Sequence, residues 1–231
     1  MTLLPRWLHD GYDAATQPLA RSLISARISP NAITTVGTGV LVAAGAAFGL
    51  GQVRWGGALL LLSGMCDTLD GKVARAAGKV TRFGAFYDST LDRVGESALF
   101  AGIALHFASG GVPDELVPLG VLAAVAALAA GLMVSYARAR AEGLGLECKV
   151  GLAQRAERIL GLGVPTLFFA AGPQGRLLLA IVLILAVVAA VTVVQRIIHV
   201  YRLTRPDSDA VAGSTRSSAS LEPVGKGHAG D

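Results

Sequence analysis

The chain has 231 residues, of which 53% are hydrophobic and only 16% charged. Soluble domains carry about 25% charged residues, and a mean hydropathy of +0.58 points away from a water-soluble fold and towards a helical protein embedded in a bilayer. The net charge of +4 sits beside apolar stretches, an arrangement that speaks against nucleic-acid binding, and two cysteines, Cys66 and Cys148, do not make a disulfide framework.

Residues Thr2 to Ile28 mix Leu3, Leu4, Trp7, Leu19, Leu23 and Ile24 with Arg6, His9, Asp13, Arg21 and Arg27. This pattern predicts an amphipathic helix lying on the membrane, bent near Pro18; an ordinary solvated helix is the other reading. No continuous apolar segment before Arg27 suggests a secretory signal peptide. Ser29-Pro30-Asn31 reads as a helix start, with a polar cap and an early proline.

Six membrane spans are expected after it, all helical, because apolar stretches near 20 residues are needed to cross a bilayer. They run from about Ala32 to Leu50, Trp55 to Asp70, Gly84 to Phe107, Leu116 to Ala137, Ile159 to Ala171 and Arg176 to Val200. Abundant glycine and alanine let such helices pack closely in lipid. Lysine and arginine sort to one side: Lys72, Arg75, Lys79, Arg82, Arg138, Arg140, Lys149, Arg155, Arg158, Arg202 and Arg205 share a face with Arg6, Arg21 and Arg27, while the opposite loops carry only Arg54 and Arg176. The positive-inside rule then places both termini in the cytoplasm of a multi-pass protein of the cell membrane. The expected organisation is a surface helix over residues 1–28, a six-span domain over 29–205 and a polar, disordered tail over 206–231, rich in Ser, Gly and Ala.

Where the second and third spans meet, the sequence reads Asp67-x2-Asp70-Gly71-x2-Ala74-Arg75-x8-Gly84-x3-Asp88-x3-Asp92. Ionisable groups at membrane depth are costly and usually mark a functional site. Asp67 and Asp70 are three apart and Asp88 and Asp92 four apart, so each pair shares a helix face. The spans are antiparallel, which lets the pairs face each other. Four carboxylates in one place need a hard divalent cation; Mg²⁺ or Mn²⁺ suits oxygen ligands, and two such ions form the clamp used in phosphoryl transfer. One aspartate alone could be a helix cap or an ion-pair partner. The spaced set is what carries the functional reading.

This spacing resembles the CDP-alcohol phosphotransferase family, whose pattern is met at every fixed position between Asp67 and Asp92. The resemblance implies transfer of a phosphatidyl group from CDP-diacylglycerol to an alcohol, releasing CMP, at a site facing the cytoplasmic leaflet, in what is typically a homodimer. It implies that Asp67 and Asp88 bridge two Mg²⁺ ions, that Asp70 completes one site, and that Asp92 completes the other and acts as general base. Gly71 and Gly84 would leave room for close approach, and Arg75 would pair with the pyrophosphate. Ser29, Pro30, Asn31, Ala32 and Thr81 would also contact the CDP moiety.

Three further segments, Ser135-Tyr136-Ala137-Arg138-Ala139-Arg140-Ala141-Glu142, Gln154-Arg155-Ala156-Glu157-Arg158 and Gln195-Arg196, are similar to those of bacterial family members that take inositol 1-phosphate as acceptor. By that likeness Arg138, Arg155 and Arg196 hold the acceptor phosphate, with arginine well suited to the fork geometry. Arg138 stands where the pattern has lysine, and the stretch from Gly143 to Leu152 departs from it. Basic loops also serve simply as topology signals or headgroup anchors. Glycerol 3-phosphate, giving phosphatidylglycerophosphate, is the alternative acceptor. A non-catalytic cation transporter or metal-binding membrane protein is the alternative from another class; the absence of comparable acidic groups deep in the fourth to sixth spans argues against it.

Overall fold

The computed structural model describes residues 6–151 and 155–205, with side chains described over 16–151 and 156–205. The expected tail over 206–231 and most of the polar face expected of the first helix lie outside these described residues. Among the described residues seven α-helices follow one another: α1 (Arg6–Ser25), α2 (Pro30–Gly49), α3 (Val53–Ala76), α4 (Arg82–His106), α5 (Val117–Gly143), α6 (Arg155–Phe169) and α7 (Arg176–Leu203). No strand occurs among the described residues. Both cysteines are free.

Local chemistry sets the helix boundaries. Ser29 has extended backbone and its Oγ accepts from the Ala32 N–H at 3.2 Å, with Pro30 as the first helical residue; the missing proline donor costs nothing at that position. The expected span ending at Asp70 is part of a longer helix. α3 continues to Ala76 because Leu69 and Val73 are buried against Ala20 of α1 and Ile33 of α2. It stops before Gly78, whose φ of +63° is a left-handed conformation that glycine adopts freely. Thr81 then caps α4, its Oγ1 accepting from the Gly84 N–H at 2.9 Å. The whole aspartate motif therefore folds as helix, tight link, helix.

α2 packs against both α3 and α4, α6 lies on α3, and α5 joins α4 to α7. The α2–α4 crossing is backbone on backbone: a Cβ on Gly45 would collide with the Ala98 carbonyl, and one on Gly102 with Gly45 itself. Phe48, Leu60, Ile103, Phe107, Leu162, Leu178 and Val182 are fully or almost fully buried and form one cluster. They come from the late halves of α2 and α4, the turn that follows α4, the middle of α6 and the early halves of α3 and α7. One end of the bundle is thus a dense apolar core, and the other end is left for polar chemistry.

Among the described residues, three helical stretches are long and apolar enough to cross a membrane: Pro30–Gly49, Asp114–Gly143 and Pro173–Leu203. α3 and α4 are long enough but carry the motif's charges. α6 has 15 residues, about 22 Å of helix, less than the ~30 Å hydrocarbon core.

The Gly102→Val variant should lower the midpoint of thermal unfolding in detergent, by about 2–3 kcal/mol of stability, the scale of overpacking in a tight core. Gly39→Val, on the same helix as Gly45 with nothing within 4 Å of its would-be Cβ, should change it little. Equal effects at the two positions would refute the close crossing.

Candidate active site

The helix–link–helix of α3 and α4 brings the motif's carboxylates together at the polar end of the bundle. One oxygen each of Asp67, Asp88 and Asp92 lie within 4.8 Å of one another. Asp70 stands beside them, buried, with its Oδ2 accepting from Thr34 Oγ1 of α2 at 2.7 Å. Asp70 and Asp88 line one cleft, and Asp70, Asp67 and Asp92 line a smaller recess next to it. Carboxylates this close repel strongly away from bulk water. An all-oxygen donor set of this kind fits a hard divalent cation of the Mg²⁺ or Mn²⁺ class.

The cleft has a volume of about 290 Å³. Its walls include Pro30 and Asn31 at the start of α2, Gly71 and Arg75 of α3, Lys79 and Thr81 of the link, and Gly84 and Asp88 of α4. The first turn of α2 turns its positive dipole end towards it, which suits an anion. The Arg75 guanidinium folds back over Gly71, so that a Cβ there would sit 3.2 Å from Nη1. At Gly84 a Cβ would meet Thr81 Oγ1 at 3.0 Å. Both motif glycines keep the cleft floor low. The structure thus gathers Pro30, Asn31, Gly71, Arg75 and Thr81 around one space. Ser29 instead caps α2, and its hydroxyl is engaged with the Ala32 N–H.

On the other side of Asp92 lies a set of cations. Arg158 of α6 donates from Nη1 to Glu96 Oε1 at 2.6 Å. Arg93 reaches Asp92 Oδ2 at 3.3 Å and Glu96 Oε2 at 3.7 Å. Asp92, Glu96 and Arg158 share a cavity whose other walls are apolar. Arg196 of α7 points inward, donating to the carbonyls of Val134 and, at 3.0 Å, Val150. It lies within electrostatic range of both Arg158 and Arg138. Arg138 pairs with Glu142 at 2.8 Å on the exposed end of α5. Arg155 opens α6, but its side chain lies outside the described residues.

Several participants did not stand out in the sequence. Thr34 was hidden because its partner is 36 residues away. Arg158 was visible only as the end of a basic segment. Glu96 had a signal that could have been read: it is a further acid one helical turn beyond Asp92. Lys79 had none beyond its charge.

A helical bundle with an acidic cluster between an anion-ready cleft and an otherwise apolar cavity that holds Arg158 suits the phosphotransferase class, and the chain belongs to the CDP-alcohol phosphatidyltransferase family, whose model matches residues 27–195. It is similar to the phosphatidylinositol phosphate synthase of Streptomyces avermitilis, 36% identical over 225 residues that cover 94% of this chain and 91% of that one. It is also similar to the archaetidylinositol phosphate synthase of Methanothermobacter thermautotrophicus, 42% identical over 175 residues, covering 74% and 82%. Among solved structures it resembles the Mycobacterium tuberculosis phosphatidylinositol phosphate synthase with CDP-DAG bound, with a TM-score of 0.70 at 33% identity, covering 84% of this chain and 96% of that one. The same enzyme in complex with manganese and citrate gives 0.71 at 34% identity, covering 84% and 91%.

Replacing Asp67, Asp88 or Asp92 singly with Asn removes one charge from the cluster. Each variant should bind Mn²⁺ at least about tenfold more weakly than the parent, a loss on the scale of disturbing a single metal-site group, as read by electron paramagnetic resonance of free Mn²⁺. Asp114→Asn, exposed in the α4–α5 connection, should bind as the parent does. Unchanged binding in all three variants would mean that the cluster is not a cation site.

Proposed function

We propose that this protein transfers the phosphatidyl group of CDP-diacylglycerol to a hydroxyl of inositol 1-phosphate, giving phosphatidylinositol phosphate and CMP. The observation that carries this reading is the meeting of Asp67, Asp88 and Asp92 within 4.8 Å, between a cleft suited to a nucleoside diphosphate and a cavity that holds Arg158. The names of the relatives support it: the Mycobacterium tuberculosis enzyme has been seen with CDP-DAG and with manganese, and both the bacterial and the archaeal relatives are inositol phosphate lipid synthases.

The CDP head occupies the cleft. Arg75, Lys79 and the N-terminus of α2 hold its phosphates, while Asn31, Thr81 and the low floor at Gly71 and Gly84 accommodate the nucleoside. Ser29 and Ala32 shape that helix start. Asp67, Asp70, Asp88 and Asp92 fit two divalent ions, Mg²⁺ or Mn²⁺, which supply charge neutralisation of the pyrophosphate when bound. Thr34 fixes the Asp70 carboxylate by its hydrogen bond. On the acceptor side Arg158 and Arg196 hold the phosphate of inositol 1-phosphate, joined by Arg138 from the exposed end of α5 and by Arg155 of α6. Asp92 takes the proton of the attacking hydroxyl. The new bond forms between that oxygen and the β-phosphorus of CDP-diacylglycerol; the bond from that phosphorus to the CMP oxygen breaks, and CMP leaves with the electron pair.

The setting follows from the same charge pattern. Six helices, α2 to α7, cross the membrane, α3, α4 and α6 being sheltered by the apolar three. The carboxylate end faces the cytoplasm, where Arg75, Lys79, Arg138, Arg202 and Arg205 gather. α1 lies along that surface, tied to α3 by the Lys72–Thr16 hydrogen bond of 2.5 Å. Residues 1–28, 29–205 and 206–231 are surface helix, catalytic domain and tail, and two copies pair through lipid-facing small-residue surfaces.

The test is CMP release by the purified protein with CDP-diacylglycerol and Mg²⁺. Inositol 1-phosphate should support it and glycerol 3-phosphate should not. Asp92→Asn should lower kcat by about 10²–10⁴, the usual contribution of a general base, while retaining CDP-lipid binding. Release with glycerol 3-phosphate alone would reassign the acceptor. Full activity in Asp92→Asn would remove it from the proton transfer.

A further inference from the structure

Resting on the acceptor reading above, we propose that Glu96 is a positioning residue that sets Arg158 in place for the phosphate of the acceptor. Glu96 is one helical turn beyond Asp92 on α4, on the same face. Its Oε1 accepts from Arg158 Nη1 at 2.6 Å, across from α4 to α6. Both side chains are largely buried, at 13% and 17% exposure. The cavity they share with Asp92 is otherwise walled by leucine, isoleucine and phenylalanine. The guanidinium has little exposed surface, so its orientation is set, among the described residues, by the carboxylate of Glu96.

A third helix is built around the pair. A Cβ on Gly131 of α5 would sit 2.7 Å from Glu96 Oε1 and 2.9 Å from Arg158 Nη1. The glycine lets the ion pair press against the α5 backbone, and any larger residue pushes into the contact. Glu96 Oε2 also faces Arg93 Nε at 3.7 Å, and Arg93 reaches Asp92. Glu96 thus joins Arg158 to the same helix turn that carries Asp92.

The chemistry gives this a purpose. Arg158 and Arg196 lie in electrostatic range of each other, and neighbouring guanidiniums repel until an anion comes near. A fixed hydrogen-bond acceptor behind Arg158 holds its guanidinium in one orientation in spite of that repulsion. Guanidinium has five donors, and one bond to Glu96 leaves others for a phosphomonoester. A phosphate-free acceptor gains nothing from the arrangement. Glu96 therefore acts on acceptor recognition, through Arg158, and not on the donor lipid.

Steady-state kinetics of CMP release separate these roles. In Glu96→Ala the KM for inositol 1-phosphate should rise at least about tenfold, the equivalent of roughly 1.4 kcal/mol, with the KM for CDP-diacylglycerol within about twofold of the parent and kcat changed less than the acceptor KM. Glu96→Gln keeps an oxygen that accepts from Nη1 and should recover most of the loss. Gly131→Ala keeps both charges and displaces the pair; it should raise the acceptor KM about fivefold or more, and it stands in should Glu96→Ala fail to fold. Equal rises in both KM values, a fall in kcat alone, or no rescue by Gln would overturn the proposal. A parent protein that releases no CMP with inositol 1-phosphate overturns the acceptor reading and this proposal with it. An active parent with unsplit variants overturns only the role of Glu96.

Discussion

Everything at the polar end of this bundle answers to one electrostatic constraint: three carboxylates held within 4.8 Å of one another in a protein with three helices apolar enough to cross a membrane among its described residues. Like charges at this distance separate unless geometry forbids it. Geometry forbids it here through α2. That helix packs against both α3 and α4, and its crossing with α4 at Gly45 and Gly102 is too close to slide. The apolar core at the far end, built on Phe48, Ile103 and Phe107, keeps the helices in register. Packing energy at one end thus holds charge together at the other. A cation is the natural partner of such a cluster, and the binding of one would reinforce the folded state that creates the site.

The cluster also divides the site. On one side lies the cleft under the α2 N-terminus, with Arg75 and Lys79; on the other lies the cavity with Glu96 and Arg158. Asp88 belongs to the first and Asp92 to the second. Two anionic substrates can approach the carboxylates from opposite sides, each met by its own cations, without sharing a pocket. For a transfer between two phosphate-bearing molecules this separation matters, because substrates that repel each other must still be brought into bonding distance.

Much of this was legible in the sequence. The helical class, the order of the elements, the Ser29 cap and the convergence of the aspartates follow from period, composition and spacing, all of them short-range properties. What was not legible is long-range. The Thr34 hydroxyl meets Asp70 across 36 residues, and Arg158 meets Glu96 across 62. No spacing rule relates such pairs. The end of the second span at Asp70 was placed by hydropathy, which falls at the motif, whereas the helix itself follows the burial of Leu69 and Val73 and runs on to Ala76. Hydropathy reads the solvent around a helix and is silent on where its hydrogen bonds stop.

The arginines show how the same residue type divides into different roles by burial alone. Arg138 and Glu142 form an i,i+4 pair with about half of each side chain exposed, and pairs of that kind contribute little to stability. Such an arginine is cheaply released to meet an incoming anion. Arg158 is different: with 17% exposure and Glu96 at 13%, breaking the pair would strand two charges in an apolar cavity. Its position is therefore set by Glu96, with which it forms one fixed unit between α4 and α6. Arg196 is fixed by two backbone carbonyls, that of Val134 within α5 and that of Val150 in the segment after it. Two of these cations are thus anchored in advance and one is adaptable. A group held in place beforehand loses less freedom when it meets a ligand.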